Sequence, residues 1–138
     1  MELLVATLCD DASETQGKLN ITGAFDIIVA QGFPAGFSFK LALRFSFTVS
    51  DHGSHSFSIR LVDDAGGPDT PAPEQSKLDV NMPAGTLGFS TQNLIMPLQG
   101  NIAKAGIFHF DVHLDHRVLA HIPLRVVAQS EVVAPAAG

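Results

Sequence analysis

The sequence predicts an all-β chain, folded as a two-sheet antiparallel β-sandwich of Ig-like or jelly-roll-like type with about eight strands. Three observations point there. Apolar and polar residues alternate with period two over most of the chain, clusters of turn-forming residues interrupt that alternation, and no stretch of ten or more residues carries an amphipathic helical pattern. A closed barrel is the alternative arrangement of the same strands.

The first strand is expected over Leu3–Cys9. The second runs from Leu19 to Val29, with Leu19, Ile21, Phe25, Ile27 and Val29 on one face and Gly23 as a kink or bulge. The third is the clearest. Phe37, Phe39, Leu41, Leu43, Phe45, Phe47 and Val49 share one parity, and Ser38, Lys40, Ala42, Arg44, Ser46 and Thr48 share the other. A helix would smear these two sets around its circumference, whereas a strand sends them to opposite faces. Phe57, Ile59 and Leu61 mark a fourth strand, and Leu78, Val80 and Met82 a short fifth. The sixth, Leu87–Leu98, changes parity between Phe89 and Leu94, which predicts a bulge, and Pro97 assigns it to a sheet edge. Phe108, Phe110, Val112 and Leu114 form the seventh strand, and Val118, Ala120, Ile122, Leu124 and Val126 the eighth. Asp51–Ser54, Asp63–Gly67, Pro83–Gly85 and Asp115–Arg117 read as the turns between them. One domain is therefore expected over residues 1–127, followed by a flexible tail over 128–138.

Composition narrows the partners. The 138 residues carry a formal charge of −6, which argues against nucleic acid and anionic membranes, since both require a basic surface. Ten Phe accompany no Trp and no Tyr, so the flat, polar-edged platforms on which carbohydrates stack are missing and the Phe residues read as core. The single cysteine, Cys9, excludes an internal disulfide, the apolar N-terminal run is too short for a signal peptide, and no membrane span is legible. A cytoplasmic protein is expected. Asn20-Ile21-Thr22 lies inside a predicted strand and reads as a chance sequon.

The opening Leu8-Cys9-Asp10-Asp11-Ala12, then Gly17-Lys18-Leu19-Asn20-Ile21-Thr22-Gly23-Ala24-Phe25-Asp26 and Phe33-Pro34, resembles that of a family of short bacterial proteins of unknown function. Leu61–Gly66 and the two segments Gly106–Asp115 and Ile122–Val126 are similar to that family's later turn and closing hairpin. The resemblance implies an all-β domain and no particular activity.

The densest polar grouping lies on the last hairpin. With Phe108, Phe110, Val112 and Leu114 facing the core, His109, Asp111, His113 and Asp115 share the outer face. Matching parities across the hairpin sets Leu114 opposite Val118 and Asp111 opposite His121. Same-face neighbours along a strand lie roughly 6.5–7 Å apart, so an i, i+2 pair and a cross-strand residue can converge on one ion. His109 and His113, about 13 Å apart, cannot share one unaided. The metal candidates are therefore His109/Asp111/His121 and Asp111/His113/His121, with zinc first among ions for imidazole and carboxylate ligands. The same residues equally suit a solvated outer face.

Other groupings carry less. Asp63-Asp64-Ala65-Gly66-Gly67-Pro68-Asp69 offers hard oxygens for calcium but lacks EF-hand spacing, and reads as a loop. Asp10 and Asp11 beside Cys9 raise a thiol pKa, which favours a structural cysteine. Asp51-His52-Gly53-Ser54-His55 holds the residue types of a hydrolase triad, yet neighbours in one tight turn do not orient one another, so it reads as a hairpin turn. No catalytic motif or cofactor fingerprint is present. A non-enzymatic module is expected, acting through a protein partner or self-association. Its mean hydropathy of +0.24 and strands apolar on both parities leave spare surface at an edge. A metal- or small-ligand-binding domain using the outer face of the 108–126 hairpin is the alternative.

Overall fold

The strand with the strongest alternation lies inside a sheet, between two neighbours. In the computed structural model, which describes residues 1–64, 67–68, 76–82, 85 and 87–131, it runs as Ala35–Phe47 and is flanked by partners along most of its length. In chain order the strands are β1 (Glu2–Thr15), β2 (Lys18–Phe25), β3 (Ile27–Ala30), β4 (Ala35–Phe47), β5 (Gly53–Asp63), β6 (Gly67–Pro68), β7 (Ser76–Val80), β8 (Ser90–Ile102), β9 (Gly106–Leu114) and β10 (Arg117–Ala128). The first sheet has the order β2-β1-β4-β8. The second has the order β3-β10-β9-β5-β6, with β7 also paired to β5.

The odd-numbered face of β4 turns inward as its pattern demands. Phe39, Leu41, Leu43, Phe45 and Phe47, with Leu8 of β1, meet Phe57, Leu61, Phe108, Phe110, Val112, Leu114, Ile122, Leu124 and Val126 of the second sheet in one core. Each fully buried Leu or Phe stabilises by about 1.5–3 kcal/mol. The aromatic members interlock: Phe39 receives Phe25 and Phe110 edge-on, and Phe45 receives Phe57 likewise. This is a β-sandwich. Among the described residues, no helix is long and apolar enough to cross a membrane.

Several local expectations are corrected. The predicted second strand is two strands in two sheets: after Phe25 the chain crosses at Asp26, whose carbonyl accepts the Arg125 amide at 2.8 Å. β3 then lies parallel to β10, the one exception to antiparallel pairing among the described strands. Val49 leaves the inward set because β4 ends at Phe47 and a short 3-10 turn, Val49–Asp51, follows, which leaves Val49 exposed. The bulge expected between Phe89 and Leu94 is absent, since β8 begins at Ser90 and keeps an unbroken register with β4. Pro97 does lie on an edge strand. Met82 is buried but lies beyond the end of β7. β10 continues through Ala128 and a 3-10 turn covers Gln129–Glu131, so regular structure passes the expected boundary at 127. Residues 132–138 of the expected tail lie outside the described residues, as do 65, 66 and 69 of the acidic loop and 83 and 84 of a predicted turn.

β1 extends six residues past the predicted end, and its excess has a purpose. Thr15 pairs with Lys18 across Gln16 and Gly17, both at positive φ, the two-residue turn that matches strand twist. The hairpin tip reaches the outer face of the first sheet, where the Gly17 carbonyl accepts from Arg44 Nη1 at 3.0 Å and Asn93 Nδ2 at 3.1 Å. A second small core forms there from Cys9, Ala12 and Ala42, with Leu19 and Ile95 against it. Ala42 and Cys9 are fully buried although they belong to the outward parity of their strands. Burial foremost, then Asp11 and Asp10, pushes the Cys9 thiol pKa up.

Candidate metal centre

The candidate grouping comes together because β10 carries a bulge. Asp115 and His116, both at positive φ, make the two-residue turn between β9 and β10, which pairs Leu114 with Arg117 and His113 with Val118. Leu114 therefore does not face Val118 as parity matching predicts, and Val118 turns outward and is exposed. Continued without interruption, that register would set His121 opposite Phe110, on the core face. The shift between Val118 and Ala120 moves the pairing by one residue and sets His121 opposite Asp111. The expected cross-strand pair forms by this route.

His109, Asp111 and His121 each offer one ligand atom, and the three atoms lie within 4.8 Å of one another. His121 Nδ1 stands 2.5 Å from Asp111 Oδ1, and His109 Nε2 stands 3.1 Å from the same oxygen. The two imidazole rings meet edge to face with centroids 5.1 Å apart. Asp111 is buried, 9% exposed, so its carboxylate depends on these neighbours in place of water. The side chain of His121 is 63% exposed, which leaves the rim of the group open to solvent. His113 approaches the other Asp111 oxygen only to 4.0 Å and is not in the close group, so of the two candidate triads the structure assembles His109/Asp111/His121.

Two residues join the centre that the sequence did not assign to it. Asp64, from the acidic turn, hydrogen-bonds His109 Nδ1. A carboxylate on that nitrogen fixes the ring and leaves Nε2 directed at Asp111, the arrangement by which metal-binding histidines are oriented. Arg60 on β5 lies directly opposite Asp111 in register. Both follow from the pairing of β5 with β9, for which the sequence holds no local signal.

The remaining candidates disperse. Asp63, buried at the end of β5, pairs with Lys104 at 3.0 Å, so the two described aspartates at the start of the acidic loop turn to different partners. Asp115 leaves the outer-face group for the far end of β5, where it meets His55 Nδ1 at 2.5 Å and accepts the Ser56 amide at 2.9 Å. His55 Nε2 contacts the Asp51 carbonyl at 2.5 Å. The Asp115 carboxylate first, then that carbonyl, holds the His55 pKa above its ordinary value, while His55 and the Ser56 amide hold Asp115 below its own. The Asp51–His55 segment is not a hairpin turn. It carries the chain from β4 in the first sheet to β5 in the second, and His52 Nδ1 accepts the Met82 amide at 3.1 Å.

A family model matches residues 4–127, nearly the whole domain, and it describes a family of unknown function, DUF6941. The chain belongs to this family. No curated protein and no solved structure matches it. DUF6941 membership agrees with the expected resemblance to a family of unknown function and brings no reaction with it, so any functional reading stands on the geometry of these side chains.

Proposed function

We propose that the chain is a metal-binding β-sandwich module that holds a zinc ion at His109, Asp111 and His121. The convergence of three ligand atoms within 4.8 Å, on two strands whose register is set by a bulge, carries this reading. Asp64 on His109 Nδ1 supports it further. Three protein ligands leave the fourth position of a tetrahedral ion for water or a small ligand. The role is binding rather than catalysis: the group lies on an outward sheet face with an exposed rim, not in an enclosed pocket. The lone buried thiol suits a reducing compartment such as the cytoplasm.

Zinc titrated into chelator-treated protein should raise the melting temperature, which keeps climbing with the logarithm of the free zinc concentration. At a free concentration a hundred times Kd the stabilisation is about 2.7 kcal/mol, or several degrees. Circular dichroism must report it, because Trp and Tyr are absent. Asp111→Asn combined with His121→Ala should fold and lose the shift. An unchanged melting temperature of the wild-type chain at stoichiometric zinc removes the reading.

A second reading, self-association through the second sheet, is favoured by one row of side chains. On the four-residue edge strand β3, Ile27 and Val29 are exposed, and Arg125 separates Ile27 from Ile107, which is also exposed. Exposed apolar groups beside an open edge are what a second copy would cover. Sedimentation at high micromolar concentration should show a dimer that Val29→Lys dissociates; a strictly monomeric wild type discards this reading.

A further inference from the structure

Resting on the zinc reading above, we propose that Arg60 makes the open coordination position an oxyanion site, which takes a small carboxylate or phosphate between the ion and the guanidinium. Arg60 is on the outward parity of β5, directly opposite Asp111. Opposite residues on antiparallel strands have Cα atoms about 4.5–5.5 Å apart, well within reach of an arginine side chain. Its Nε is buried and, among the described residues, finds no hydrogen-bond acceptor. A guanidinium cannot shed its proton to relieve that deficit, so the acceptor has to come from elsewhere. Asp111 does not supply it: although it stands opposite Arg60 in register, it makes no hydrogen bond to Nε.

Charge points the same way. A divalent ion and Arg60 together outweigh the carboxylates of Asp111 and Asp64, which leaves the group with positive charge in excess. A cation beside a cation site weakens metal binding unless an anion lies between them. An oxyanion with one oxygen on the ion and another on the Nε side of the guanidinium satisfies the open position, the stranded N–H and the excess charge at once.

Cobalt substituted for zinc gives visible absorption that reports the ligand sphere without aromatic residues, and acetate and methyl phosphate serve as probes. In the wild type at least one should shift the cobalt spectrum saturably, and which one responds distinguishes a carboxylate from a phosphoryl ligand. Arg60→Met should bind cobalt at least as tightly as the wild type yet bind the anion about tenfold or more weakly. Should that variant fail to fold, Arg60→Lys, which keeps the charge but loses the fork, should still weaken the anion about fivefold. Cobalt bound by the wild type with no response to either anion, or an equal response in the variants, overturns the proposal and leaves the zinc reading intact. A wild type that binds no cobalt defeats the zinc reading, and this one falls with it.

Discussion

Gly23 holds a left-handed conformation with φ of +67°, and a Cβ built there would stand 2.3 Å from Asp10 Oδ2 and 2.8 Å from its Cγ. The backbone angle strains any other residue there, and the contact adds a smaller cost because the exposed Asp10 side chain can turn away. Gly23→Ala is expected to lower stability by roughly 1–3 kcal/mol, read as a fall in the denaturation midpoint. Adding Asp10→Ala should recover the steric part alone, since the backbone strain persists. At the same scale His55 gives a pH signature. Its pKa is raised by Asp115, so the stability it contributes is fully present below the ordinary imidazole value and disappears as pH rises through the raised one. The melting-temperature gap between wild type and His55→Gln should be widest below the ordinary imidazole value of about 6.5 and narrow as pH rises through the raised one. A gap that widens with pH would contradict this sign.

Among elements, the hairpin of β1 and β2 is the one whose two halves do different work. Its root belongs to the first sheet, and its tip covers Cys9, Ala42 and Ile95 under the Gly17–Arg44 and Gly17–Asn93 contacts. A thiol-specific reagent should therefore label Cys9 slowly in the native protein and fully in denaturant, and Arg44→Ala should speed native labelling several-fold by loosening the tip. Equal labelling of native and denatured chains would refute the covering. This level is where the sequence is most and least legible. The alternation in β4, β9 and the end of β10 was readable because a strand with one buried face must separate its apolar residues. The fold back of the hairpin was not, because Cys9 and Ala42 are buried by residues distant in the chain, and the parity of Ala42 argues the opposite. The candidate centre divides in the same way. His109, Asp111 and His121 were legible from i, i+2 spacing and hairpin parity, although the bulge at Leu119 had to restore the pairing that the turn had shifted. Asp64 and Arg60 join only through β5, and long-range strand order leaves no local pattern to read.

For the molecule as a whole, the sandwich is assembled from a mixture of near and distant pairings. β1–β2 and β9–β10 are hairpins, but β3 must find β10 across almost the full domain, Ile27 against Arg125. Loop-closure entropy opposes such a contact until the rest is in place, so the hairpins should form early and β3 should seat late. Refolding is accordingly expected in the millisecond-to-second range of all-β domains, and a variant that weakens β3, such as Val29→Gly, should hasten unfolding while hardly slowing refolding. The passage from β2 to β3 through the single residue Asp26 sharpens that asymmetry. A strand that arrives last is also the first to leave. The apolar row on β3 is then presented by a flap of low kinetic persistence, and proteolytic nicking or strand exchange between molecules would begin at this seam while the remainder of the domain is still native.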